Sequence, residues 1–237
     1  MTMRKLLAAL LACALLTPVL AEEPCPHARE TAADYVCQLQ FDEPAGDELF
    51  EEALLIGDSL AYSLADYGVI ETLDVECYIG LSPEHVARAR NMLYKGEYVT
   101  IVELAAASRP DKLLVLFGSN GLTYKDAAEV LVNYHGMVDA IVDTLPWADI
   151  YLLSVTPVDT WVKKEARGLN MGNILAFNEG VRSIAQAHGV HYIDVCTPLT
   201  AADGSGIHKN YVAKDGIHLT YEGARVLTET IRYQVDR

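Results

Sequence analysis

Basic side chains are scarce in this sequence. Among 237 residues, 18 Lys and Arg stand against 33 Asp and Glu, a formal charge of −15. A field of that sign repels phosphate backbones and anionic bilayers, which argues against nucleic acid and strongly anionic substrates as partners. Motifs that announce a metal are missing as well. There is no Cys-x-x-Cys pair, no His-Glu-x-x-His and no His/Cys cluster at zinc-ligand spacing, so neither a metal nor another cofactor is expected. No internal repeat, low-complexity tract or second domain shows in the pattern. The apolar run Leu6 to Leu20 is interrupted by Pro18 and falls short of the roughly 18 residues a membrane span needs.

That run has another reading. Arg4 and Lys5 precede it, and Val19-Leu20-Ala21 supplies small residues for cleavage, so residues 1–21 are expected to be a signal peptide cut after Ala21. Leu10-Leu11-Ala12-Cys13 loosely resembles a lipid-attachment box, but seven mostly apolar residues follow Cys13, which suits cleavage after Ala21 better. Removing Arg4 and Lys5 leaves 16 basic against 33 acidic side chains, a charge of −17. Export permits disulfides among the remaining Cys25, Cys37, Cys77 and Cys196, and Cys25 with Cys37 would staple the segment before the first strand.

Residues 22–48 form an acidic lead-in with three prolines, and residues 49–237 carry a regular alternation. Strand-like apolar runs appear at 53–56, 75–79, 112–117, 150–154 and 190–195. Helix-like periodicity is clearest at 83–94, 124–144, 173–188 and 221–235. Alternation of this kind predicts an α/β fold: a flavodoxin-like three-layer sandwich with a five-stranded parallel sheet in the order 2-1-3-4-5 and helices on both faces. The order places the turns after strands 1, 2 and 3 side by side. It also separates Cys77 from Cys196 by four strand spacings, about 19 Å, too far for a bond.

The first of those turns is Gly57-Asp58-Ser59, between the buried run Ala53–Ile56 and a helix start. A serine there is either a helix cap or a nucleophile at the ligand-binding edge of the sheet. Serine needs a base, and an imidazole oriented by a carboxylate supplies one. Asp215 and His218, three apart on a glycine-containing turn, offer both. The segment from Cys196 to Leu219 is long enough to carry them from the far edge of the sheet to Ser59. His208 lies in a similar Gly-Ile-His phrase, but Ser205 stands where a carboxylate is needed. Histidines 27, 85, 135, 188 and 191 read as surface or helix residues. Acyl transfer also needs donors for an oxyanion, and the N–H groups of Ser59 and Gly80 with the Asn120 amide would provide three. Taken singly, Gly80 and Gly118 read as turn glycines and Asn120 as a loop residue. Together, the four elements fall in order at successive strand ends.

This set resembles the SGNH or GDSL hydrolase family across about residues 54–219. The resemblance rests on Gly57-Asp58-Ser59-Leu60, Gly80, Gly118-Ser119-Asn120 and Asp215-Gly216-Ile217-His218-Leu219-Thr220. It implies a metal-free serine esterase in which Ser59 is the nucleophile, His218 the base and Asp215 its orienting group. Ser59, Gly80 and Asn120 then form the oxyanion hole. Ala61, two residues after Ser59, separates the site from the Gly-x-Ser-x-Gly elbow. Gly121 follows Asn120 where many members have an acidic residue. Asp58 is expected to fix the turn or cap the helix.

The expected function is secreted hydrolysis of short-acyl esters, O-acetyl esters above all, with a glycan or small molecule as the alcohol. Trp161, in the stretch after strand 4, is a candidate rim residue for a sugar, or simply a packing residue. An O-acyltransferase acting on a glycan would use the same groups. A lysophospholipase or thioesterase would prefer longer acyl chains, and a non-catalytic binding module would not need the whole set.

Overall fold

The computed structural model describes residues 47–162 and 168–235. The signal-peptide segment, Cys25, Cys37 and nearly all of the acidic lead-in lie outside them. The sheet strands are β1 (Ala53–Gly57), β2 (Asp74–Cys77), β5 (Lys112–Leu116), β6 (Asp149–Leu153) and β7 (His191–Ile193). They pair in parallel in the order β2-β1-β5-β6-β7. Numbered among themselves, these strands run 2-1-3-4-5, as the alternation predicts. Strand β1, paired on both sides, is buried along its whole length, which is why its sequence is a continuous apolar run.

Side chains alternate across the strands and build two cores. Leu54, Ile56, Leu113, Val115 and Leu152 meet α3 (Ile101–Ser108), α5 (Ala127–Thr144) and α6 (Met171–His188) on one face. Leu55, Leu114, Leu116 and Leu153 meet α1 (Ser59–Tyr67) and α8 (Tyr221–Val235) on the other. The short helices are α2 (Pro83–Val86), α4 (Ser119–Leu122) and α7 (Cys196–Leu199).

One expected helix is mostly something else. Of residues 83–94 only Pro83–Val86 is helical, and a hairpin of β3 (Met92–Tyr94) and β4 (Glu97–Val99) follows. Lys95 and Gly96 at its tip both have positive φ, the backbone of a tight hairpin turn. Arg90 holds the hairpin from below: its Nε donates to the Tyr98 carbonyl at 2.9 Å and its Nη1 pairs with Glu103 at 2.8 Å. Helix α3 then starts with a reciprocal cap between Thr100 and Glu103. Cys77, on β2 at one edge of the sheet, and Cys196, beyond β7 at the other, are both free thiols.

Candidate active site

Strand β1 hands directly over to α1. A side chain at Gly57 would collide with Cβ of Ala61 and crowd the Leu116 carbonyl, so only glycine lets the helix fold back so close to the strand. Asp58 caps the helix, its Oδ1 accepting the Leu60 N–H at 3.0 Å. Ser59 is the first helical residue, at the carboxyl end of β1.

The segment after β7 reaches Ser59 by folding back on itself. Thr200 bridges Ile207 and Val212 bridges Leu219. Asp159, in the stretch following β6, donates its N–H to the Gly216 carbonyl at 2.8 Å. From the other side, the Tyr67 hydroxyl at the end of α1 donates to the Leu219 carbonyl at 3.2 Å. The turn between these anchors brings Asp215 and His218 over the serine. Asp215 Oδ1 accepts the N–H groups of Ile217 and His218, each at 3.0 Å, and Oδ2 lies 2.6 Å from His218 Nδ1. His218 Nε2 stands 3.0 Å from Ser59 Oγ.

These contacts fix the proton inventory. Partial burial alone would push the Asp215 carboxyl up, but the Ile217 N–H, the His218 ring and the His218 N–H together hold it below the ordinary carboxylate value. An ionised carboxylate only accepts, so Nδ1 carries the ring proton. The Nε2 lone pair then faces the serine hydroxyl, the tautomer a general base requires.

Asn120, on α4, meets the turn between β1 and α1 at Asp58. Its Nδ2 donates to Asp58 Oδ2 at 2.8 Å and, over a longer 3.3 Å, to the Leu81 carbonyl. Asp58 therefore does more than cap α1: one carboxyl oxygen holds the helix start and the other holds the Asn120 amide. Burial pushes its carboxyl up to about 6, against the opposing pull of the Leu60 N–H and the Asn120 amide. The sequence suggested the cap but held no signal for the link to Asn120, 62 positions away. Gly80 and Asn120 line a common cleft of 460 Å³. Gly80 has φ +82°, a conformation glycine adopts without strain.

The remaining candidates separate clearly. Trp161 is half exposed, and its ring edge lies close to Gly216 in the turn that carries Asp215 and His218. His208 packs against Tyr211 and its Nδ1 faces the Asn210 N–H, with no carboxylate bonded to it among the described residues. The two free cysteines are poor nucleophiles. Burial pushes the Cys196 thiol up to about 12, and burial with the neighbouring Glu76 raises that of Cys77. His135 and His188, which read as surface or helix residues, both lie on helices, α5 and α6, and converge on Asp139.

With this geometry in place, comparison with known proteins assigns the family. Residues 55–226 match the GDSL-like lipase/acylhydrolase family. The chain belongs to that family. This hydrolase is thus a carboxylic ester hydrolase. Its fold is similar to that of a GDSL-like lipase from Bacteroides thetaiotaomicron, at 13% identity and TM-score 0.62, covering 86% of this chain and 97% of that one. A carbohydrate esterase family 3 protein from Talaromyces cellulolyticus aligns at 15% identity and TM-score 0.54, over 78% and 95% of the two chains. An acetyl xylan esterase aligns at 13% identity and TM-score 0.57, over 76% and 97%. No curated protein matches the sequence. No helix among the described residues is long and apolar enough to cross a membrane.

Proposed function

We propose that this hydrolase is an exported serine esterase that removes short acyl groups, acetyl above all, from a carbohydrate or similar polar alcohol. Ser59 Oγ attacks the ester carbonyl while His218 Nε2 takes its proton. Asp215 holds the ring and stabilises the imidazolium that forms. The developing oxyanion is met by the N–H groups of Ser59 and Gly80 and by the Asn120 amide, which exchanges its long contact with Leu81 for the stronger charged acceptor. His218 then passes the proton to the departing alcohol. Water, activated by the same ring, releases the acid.

The observation that carries this reading is the unbroken chain of contacts from Asp215 through His218 to Ser59, joining residues 159 positions apart. The substrate class draws on the cleft beside Asn120. Ser82, Glu84, Lys125 and Asn133 line it together with Tyr124, which is 82% exposed. Polar side chains beside an open aromatic face suit a sugar better than an alkyl chain. The acetyl xylan esterase and carbohydrate esterase folds agree with that choice. Export rests on the basic and apolar pattern of residues 1–21.

A series of aryl esters of rising acyl length, run beside acetylated glycans on wild type and Ser59→Ala, tests the proposal. Acetate is expected to turn over fastest, and the variant to be inactive. Rates that climb with acyl length would overturn the substrate class, and near-native hydrolysis by Ser59→Ala would overturn the mechanism.

A further inference from the structure

Helices α5 and α6 pack side by side on one face of the sheet, and each runs antiparallel to the strands it follows. His135 and Asp139 lie four residues apart on α5, hence on one face of that helix. His188 is the last residue of α6. The packing brings one ligand atom from each of the three to within 4.8 Å of the others. Because α6 ends where β7 begins, this cluster sits at the amino ends of the strands, whereas Ser59 stands at a carboxyl end.

The ring of His188 is committed at one nitrogen. Its Nδ1 lies 2.9 Å from the Ile184 carbonyl, which can only accept, so Nδ1 carries a proton. Nε2 then points at Asp139 Oδ1 from 2.8 Å. In the neutral ring that would set a lone pair against a carboxylate oxygen, so the contact holds a positive charge there: a second ring proton, or a metal ion that displaces it as the two groups part slightly. His135 Nε2 approaches the same oxygen to 3.8 Å. Ligands about 2.1 Å from a tetrahedral metal stand about 3.4 Å apart, and the two measured separations fall on either side of that value. A carbonyl on the far nitrogen of a ligating imidazole is also the usual outer support of such sites.

We propose that His135, Asp139 and His188 form a binding site for a divalent transition ion of the zinc class, clamping α5 to α6 at the end of the sheet away from the ester site. Two imidazoles and one carboxylate suit Zn²⁺, Co²⁺, Ni²⁺ or Cu²⁺ rather than Mg²⁺ or Ca²⁺, which prefer oxygen alone. Exposure of His135 and Asp139 leaves the remaining coordination positions to water, so the ion exchanges with solvent. The acidic surface of the protein raises the local cation concentration. The role is to stabilise the helix pair, since no ester reaches this edge from Ser59.

Equilibrium dialysis of the protein against Zn²⁺, read by elemental analysis, tests the site. Wild type and His218→Ala are expected to bind with equal affinity, which excludes the catalytic imidazole as the ligand. His135→Ala and Asp139→Asn, both at exposed positions that a folded protein tolerates, are expected to bind at least about tenfold more weakly. Zn²⁺ should raise the Tm of wild type and not that of His135→Ala, with EDTA reversing the gain. Ester hydrolysis by His135→Ala should equal that of wild type. Absence of Zn²⁺ uptake by wild type overturns the proposal, as does unchanged affinity in both variants. In the first case a second ring proton alone fills the gap at His188.

Discussion

Two histidine–aspartate pairs occupy opposite ends of the sheet and use the imidazole in opposite senses. At the carboxyl end, His218 gives Nδ1 to Asp215 at 2.6 Å and keeps Nε2 for Ser59. At the amino end, His188 gives Nδ1 to its own helix and turns Nε2 onto Asp139 at 2.8 Å. On the readings proposed above, the same two residue types at nearly the same distance serve as a proton relay in one place and a cation site in the other. What decides is the partner of the second nitrogen: a hydroxyl that can surrender a proton, or a carbonyl that can only hold one. Secondary structure sets this difference. His218 lies on a turn, where both ring nitrogens are free of the backbone, while His188 ends a helix, where the carbonyl four residues back is within reach.

The largest test of the contrast is to remove each ring. His218→Ala is expected to lower kcat by about ten-thousand-fold or more. His188→Ala should leave kcat unchanged, and a comparable loss in both would erase the distinction. Asp215→Asn comes next. The amide donates to Nδ1, moves the ring proton to Nε2 and leaves Ser59 without an acceptor, so kcat should fall about thousand-fold or more while KM for aryl acetates changes little.

The third test separates Asp58 from both pairs. Its carboxyl is raised in the folded state, so its ionisation opposes folding. The associated stability is intact below the unfolded value of 3.8, declines as pH rises through about 6, and is lost above. The difference amounts to about 3 kcal/mol. Asp58→Asn abolishes that dependence, so urea titrations of variant and wild type should converge by about that amount between pH 4 and pH 8. Parallel curves would show that burial does not govern this group. The smallest effect is expected at Trp161. Trp161→Ala should raise KM for acetylated glycans a few-fold and leave that for a small chromogenic acetate untouched, and equal changes in both would reduce the ring to a packing element.

Much of the fold was legible because each strand of a buried parallel sheet is a continuous apolar run. Helix α8 over Tyr221–Val235 coincides with its periodicity. The hairpin at 92–99 was not legible. Its three-residue strands are too short to show a period of two, and their apolar residues imitate a helical face. Ser59, Asp215 and His218 were readable because each sits in a local phrase whose spacing carries chemical meaning. The link from Asp58 to Asn120 and the convergence of His135 with His188 were not, because they are made by packing between segments with no common phrase. For the same reason, a search for zinc-ligand spacing passes over ligands on two different helices.

The turn that carries Asp215 and His218 is held by a main-chain bond to the stretch after β6 and by the Tyr67 hydroxyl at the end of α1. The alcohol and its base therefore enter the molecule at very different moments of its synthesis. A chain emerging from the ribosome displays Ser59 long before His218 exists. On the proposed mechanism, that alcohol acquires its proton acceptor only when the last helix docks, so the unfinished polypeptide is chemically silent toward esters around it.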